Sequence, residues 1–127
     1  MICEIRTYIG TRQLQEDTAA YCETDKGLFA VVCDGIGGRE NGGASSQMAV
    51  ELLMEAFKET PFEHYPNFII DTAAAVDEKI FQTYGNKSGT TVVTAYIHQN
   101  ELYWFSVGDS RLYILREGRL KDRKSVV

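Results

Sequence analysis

The alternation of apolar and polar positions changes period twice along the chain. Residues 28–33, LFAVVC, form an unbroken apolar and β-branched run, the pattern of a strand buried on both faces. Two shorter strand-like runs precede it, Ile2–Tyr8 and Thr18–Cys22, separated by the polar loop GTRQLQED; TDKG reads as the turn into the third strand. Beyond a glycine-rich loop the period becomes helical. Met48, Ala49, Leu52, Leu53, Ala56 and Phe57 fall on one helix face, with Ser45 or Ser46 placed to cap it. Pro61 and Pro66 bracket a connection to a second amphipathic helix over about 67–84, in which Ile69, Ala73, Val76 and Ile80 share a stripe.

After GNKSG the period falls to two. Thr91, Val93, Ala95 and Ile97 alternate with Thr90, Val92, Thr94 and Tyr96. Gln99-Asn100 makes a turn into ELYWFSV, GDS a turn into RLYILR, and Glu117-Gly118 a third turn, so the C-terminal part reads as an antiparallel meander. Leu120 has the look of a strand start that KDRKSVV does not continue, which leaves a long sheet edge open. Three strands, two helices and three strands predict an α+β domain of about six mostly antiparallel strands with helices covering a sheet.

With 127 residues, the chain is long enough for one domain with a modest core. Its formal net charge of −5 argues against nucleic acid as a main partner, because phosphate backbones require a basic surface. MICEIRTYIG carries Glu4 and Arg6 where a secretory apolar region would begin, and no apolar run reaches membrane-span length, so no membrane partner is expected. Cys3, Cys22 and Cys33 are odd in number and lack a CxxC spacing, which predicts inert reduced thiols and a cytoplasmic setting.

The chemistry concentrates around VVCDGIGGRENGGASS, residues 31–46, where Asp34 stands at the lip of a glycine-rich turn. Such turns commonly bind anions, which a fixed carboxylate would repel unless a cation lay between them. A dinucleotide fingerprint fails because Glu40 stands where its third glycine belongs, and a phosphate-binding loop fails because Gly43 is followed by Ala44-Ser45 and not by lysine and a hydroxyl. Glu16-Asp17 and Asp109 also lie beside strand ends. Carboxylates gathered at strand ends need a cation, and hard divalent ions prefer oxygen ligands. Taken singly, Arg12, Glu16 and Asp17 are solvated loop charges, and Asp109 is a turn residue with Ser110. His64 and His98 share no spacing with an acid or cysteine and read as structural.

Taken together, RQLQED, AVVCDGIGGRENGGASSQMA, SGTTVVTAYI and VGDSRLYILREG resemble, in order, four segments of the type 2C metal-dependent protein serine/threonine phosphatases. The resemblance implies a phosphatase 2C-like α-β-β-α sandwich, incomplete here, with residues 1–127 as the N-terminal portion of a catalytic domain that runs to roughly twice this length. It implies two Mg²⁺ or Mn²⁺ ions and a third, weaker site. Asp34 would bridge two metals, with the Gly35 carbonyl and the Glu16 carboxylate as further ligands. Asp17 would act through a metal-bound water, Arg12 would grip the phosphate, and Asp109 would help to hold the third metal. Gly89-Thr90-Thr91 and Ser110-Arg111 would belong to the framework. Ile36 stands where some members carry a histidine, which leaves protonation of the leaving group to water. The implied activity is hydrolysis of phosphoserine and phosphothreonine in proteins. Two further metal aspartates belong to the family's later half. The competing reading is a non-catalytic, phosphatase-derived binding or self-association module, paired through its open sheet with a second copy or a complementary fragment.

Overall fold

The apolar run 28–33 lies at the middle of a four-stranded antiparallel sheet. The computed structural model describes residues 2–10, 15–36 and 41–123. In chain order these form β1 (Asp17–Thr24), β2 (Gly27–Asp34), α1 (Gly42–Glu59), α2 (Tyr65–Tyr84), β3 (Val92–His98), β4 (Glu101–Val107), β5 (Leu112–Arg116) and β6 (Arg119–Arg123), with short 3-10 turns at Phe62–His64 and Gly85–Lys87. The sheet order is β1-β2-β3-β4, and β5 and β6 form a separate two-stranded sheet.

Register decides which side chains meet the helices. Phe29 lies opposite Tyr96, which lies opposite Tyr103; Val31 lies opposite Thr94, which lies opposite Phe105. With Ala20, Cys22, Cys33 and Val92 these residues make the sheet face on which α1 and α2 pack. The helical stripes read from the sequence supply the other half of the core: Ala49, Leu53, Phe57, Ile69, Val76 and Ile80 are all buried. At its centre the Phe29 and Phe57 rings stack with centroids 4.5 Å apart and an interplanar angle of 4°. Tyr96 meets Phe57 edge-on at 5.2 Å. Burying one such ring stabilises the fold by about 1.5–3 kcal/mol.

Several sequence expectations are corrected. The 28–33 run is buried mainly on its helix side; Val32, on the opposite face, is 46% exposed. A continuous apolar run marks a strand with two apolar faces, and among the described residues only one of them carries helices. Ile2–Tyr8 is not a strand: it makes no ladder, and Ile2 and Tyr8 are 93% and 89% exposed. A β-rich composition forms a strand only with a partner edge. The count of six strands nevertheless holds, because Leu120 begins no orphan but sits in β6, paired with Leu115 of β5. The expected meander divides at Gly108: β3 and β4 pair in the first sheet, whereas β5 leaves it for β6. Neither Ser45 nor Ser46 caps α1; the cap position is Asn41, at φ 59°, with no side-chain cap bond.

A further tie was not visible in the sequence. Lys26, in the β1–β2 turn, donates from Nζ to the carbonyls of Phe57 at 2.5 Å and Thr60 at 2.7 Å, and its ammonium lies 4.5 Å from the centroid of the Phe57 ring. Its own carbonyl accepts from Tyr96 Oη at 2.6 Å, and His98 Nδ1 lies 2.8 Å from the same oxygen. One turn residue thus joins the carbonyl-rich end of α1 to β3, where a cation is favoured by the helix dipole. Replacement Lys26→Met is expected to lower unfolding free energy by about 1–2 kcal/mol, measured by urea denaturation at neutral pH.

Burial also sets an alkaline limit. Desolvation pushes the Cys33 thiol from its ordinary 9.0 to about 12, against a smaller opposing hydrogen bond from Thr90. Desolvation likewise pushes the Tyr65 hydroxyl from 10.0 to about 12. In both cases the folded state holds the proton more tightly than the unfolded chain, so this stability is full below about pH 9 and is lost as pH rises towards about 12. The melting temperature is expected to fall steadily above about pH 9, and more shallowly in Cys33→Ala, by circular dichroism.

Candidate metal centre

The acidic residues singled out in the sequence meet where β1 begins and β2 ends. Asp17 and Asp34 are direct cross-strand partners at that end of the ladder. Beyond them the backbone stays bonded as the strands part: Gly35 N–H donates to Glu16 O at 3.0 Å, Ile36 N–H to Gly89 O at 3.0 Å, and Thr91 N–H to Asp34 O at 2.8 Å. The Asp34 N–H donates to Thr91 Oγ1 at 3.1 Å. Asp34 is therefore fixed through both of its peptide groups, a rigid base for a carboxylate that has to hold its place.

Two glycines allow the acids to come this close. A Cβ on Gly42, the first residue of α1, would overlap Glu16 Oε2, and one on Gly35 would overlap the Gly42 carbonyl. The Glu16 carboxylate thus lies against the N-terminal end of α1, where the helix dipole favours negative charge. Both serines read as caps do other work. Ser46 Oγ donates to the carbonyls of Glu16 at 2.7 Å and Gly43 at 3.0 Å, and Thr18 Oγ1 lies 2.9 Å from it. Ser45 and Ser88 hydroxyls bond to each other, and Ser88 Oγ donates to Asn41 O at 3.1 Å. The only sequence signal for these residues was a pair of small hydroxyls at a helix start, which capping explains equally well.

The donor chemistry fits a hard divalent cation. Glu16 Oε2 and Asp17 Oδ1 are withdrawn from solvent and have no hydrogen-bond partner among the described residues. Burying anionic oxygens without donors is costly, and a metal ion relieves that cost. Number is a different matter: no group of three or more acidic, histidine or cysteine side chains converges closely enough to hold a metal among the described residues. Asp109 stands apart from the β1–β2 acids, exposed in the turn after β4. Among the described residues its turn reaches them through Thr91, whose Oγ1 lies 2.5 Å from Ser110 Oγ. Arg12 lies outside the described residues.

A fold with a helix-covered antiparallel sheet and acids at one strand end defines a class, and comparison gives the family. The protein phosphatase 2C family matches residues 7–126. Over 96% of this chain the sequence is 35% identical to the serine/threonine phosphatase stp of Listeria innocua, and 34% identical to that of Listeria monocytogenes, spanning 53% of each. In fold it is similar to the serine/threonine phosphatase Stp1 of Staphylococcus aureus, with a TM-score of 0.81 at 21% identity over 91% of this chain and 49% of that one. The serine/threonine phosphatase of S. agalactiae gives 0.80 at 24% identity, over 90% and 50%. The chain belongs to the protein phosphatase 2C family and has its α+β fold. It spans about half the length of the curated relatives it matches.

The glycine geometry yields a paired test. Gly42→Ala is expected to lower unfolding free energy by about 1–3 kcal/mol, because the new methyl collides with Glu16. Gly43→Ala, whose Cβ would meet nothing closer than 3.8 Å, is expected to be neutral or stabilising by up to about 1 kcal/mol. Thermal denaturation of the two variants beside the wild type separates close approach from helix propensity.

Proposed function

We propose that this chain carries the N-terminal portion of a metal-dependent protein serine/threonine phosphatase domain, with phosphorylated serine and threonine side chains of proteins as substrates. The observation that carries this reading is the pair of buried oxygens, Glu16 Oε2 and Asp17 Oδ1, that have no hydrogen-bond donor among the described residues, beside the doubly anchored Asp34. When bound there, Mg²⁺ or Mn²⁺ ions supply charge neutralisation at phosphoryl oxygens and activation of water for in-line attack. Asp34, Glu16 and the Gly35 carbonyl would hold them, and Asp17 would orient water by accepting its proton in a hydrogen bond. Arg12 would grip the phosphoryl oxygens through its planar, bidentate guanidinium. Asp109 would serve a further, weaker site. Ile36 offers no proton to the leaving group, which leaves that step to solvent. A cytoplasmic setting accords with three free cysteines.

A second reading rests on a different observation. The sheet face away from the helices carries Tyr21, Val32 and Leu102, each more than a third exposed. An apolar face of that kind suits a protein surface, so the chain would pair through it with a second copy or with a complementary fragment and act as a binding module.

Hydrolysis of a phosphothreonine peptide with Mn²⁺ titrated in, together with calorimetry of Mn²⁺ binding, tests the first reading. Metal-dependent turnover that disappears in Asp34→Asn is expected. Turnover unchanged in that variant, or independent of metal, would overturn it. Light scattering across a concentration series tests the second, for which a monomer at every concentration would rule out self-pairing.

A further inference from the structure

We propose that Thr91 is a positioning residue that joins the Asp34 peptide to the turn bearing Asp109, so that one hydroxyl sets the relative placement of two carboxylates, one at the end of β2 and one in the turn between the two sheets. The inference rests on the metal reading above for its consequence, but not for its geometry.

Thr91 precedes β3 and meets Asp34 on one side and the turn after β4 on the other. Its N–H donates to Asp34 O at 2.8 Å, and its Oγ1 accepts from Asp34 N–H at 3.1 Å. A backbone amide can only donate, so that contact uses a lone pair of Oγ1 and leaves the hydroxyl proton to turn towards Ser110 Oγ, 2.5 Å away. The methyl group is used as well. Gly108, at φ +97°, presses its backbone onto Thr91, such that a Cβ there would lie 2.8 Å from Thr91 Cγ2. The turn after β4 is therefore held to Thr91 at two points, Gly108 on the methyl and Ser110 on the hydroxyl, with Asp109 between them.

This arrangement matters because β4 and β5 belong to different sheets, and among the described residues no strand pairing links the two. The β3–β4 ladder ends at the Val92–Val107 pair, so Asp109 lies two residues beyond it on an exposed turn. With the joint, a shift of the Asp34 peptide is transmitted through two hydrogen bonds to the residue beside Asp109. A valine here keeps the shape and loses the relay; a serine keeps the relay and loses the methyl.

The test uses the whole chain and a readout that needs no metal. Amide hydrogen exchange at Asp34, followed by NMR in metal-free protein, is compared in wild type, Ser110→Ala, Thr91→Ser and Thr91→Val. Exchange at Asp34 is expected to rise about tenfold in Ser110→Ala and in Thr91→Val, at unchanged melting temperature, and to stay near wild type in Thr91→Ser. In Mn²⁺ calorimetry Thr91→Val is expected to bind about 10-fold more weakly, and its effect and that of Asp109→Asn are expected to be non-additive. Exchange at Asp34 left unchanged by Ser110→Ala would overturn the joint, and so would strict additivity of Thr91→Val with Asp109→Asn. A wild-type chain that binds no Mn²⁺ would remove the metal reading, and the exchange measurement would then decide the joint by itself.

Discussion

The structure depends on β2 being paired along both sides. Its backbone bonds to β1 and β3, and the bonding continues past Asp34 through Gly35 to Glu16 and through Ile36 to Gly89. A central strand cannot slip by one residue without turning its core side chains outward, so its register is over-determined. That register places Phe29 under the helices at one end and Asp34 at the chemical end. Every acid of the candidate centre is located relative to this strand.

The two ends of β2 divide the work of folding and chemistry. Around Phe29 lie the stacked Phe57 ring, Tyr96, and Lys26 bound to the last carbonyls of α1. Those contacts are apolar or charge-complementary and stabilise the fold. Around Asp34 the balance is reversed: like charges are brought together, and two carboxylate oxygens are buried without donors among the described residues. Such an arrangement persists only where surrounding structure holds it, and here hydroxyls hold the backbone instead of the carboxylates. Ser46 bonds the Glu16 carbonyl and Thr91 bonds the Asp34 amide, so both hydroxyls are spent on the main chain beside the acids.

Much of this was legible in the residues, and the unread portion has a common cause. Both helices, the central strand and the alternation at 91–97 follow from periodicity, which is local. The acids at 16, 17 and 34 were legible because each stands where a strand run meets a polar or glycine loop. What periodicity could not supply were contacts between distant segments. Ser45 and Ser46 look like caps until Ser88 and Glu16 are placed beside them. GDS looks like a hairpin turn until Gly108 is seen pressed onto Thr91, which sends the chain out of the sheet. Ile2–Tyr8 has the composition of a strand, but pairing requires an edge that lies elsewhere in the sequence, and none of the described strands offers one to it.

The same distinction bears on what the sheet faces mean. The face under the helices is closed by residues that periodicity reveals, and its burial is complete around Phe29, Val31 and Cys33. The opposite face is just as apolar in composition, with Ala30, Ala95 and Trp104 in one cross-strand row, yet Val32 and Tyr21 stay open beside it. A strand with two apolar faces is encoded for two covers. The sequence of β2 therefore carries information about a second packing surface that the four-stranded sheet and its two helices do not use. The candidate centre lies at the margin of that surface, where Asp34 ends β2 and Ser110 ties the departing strand back to Thr91.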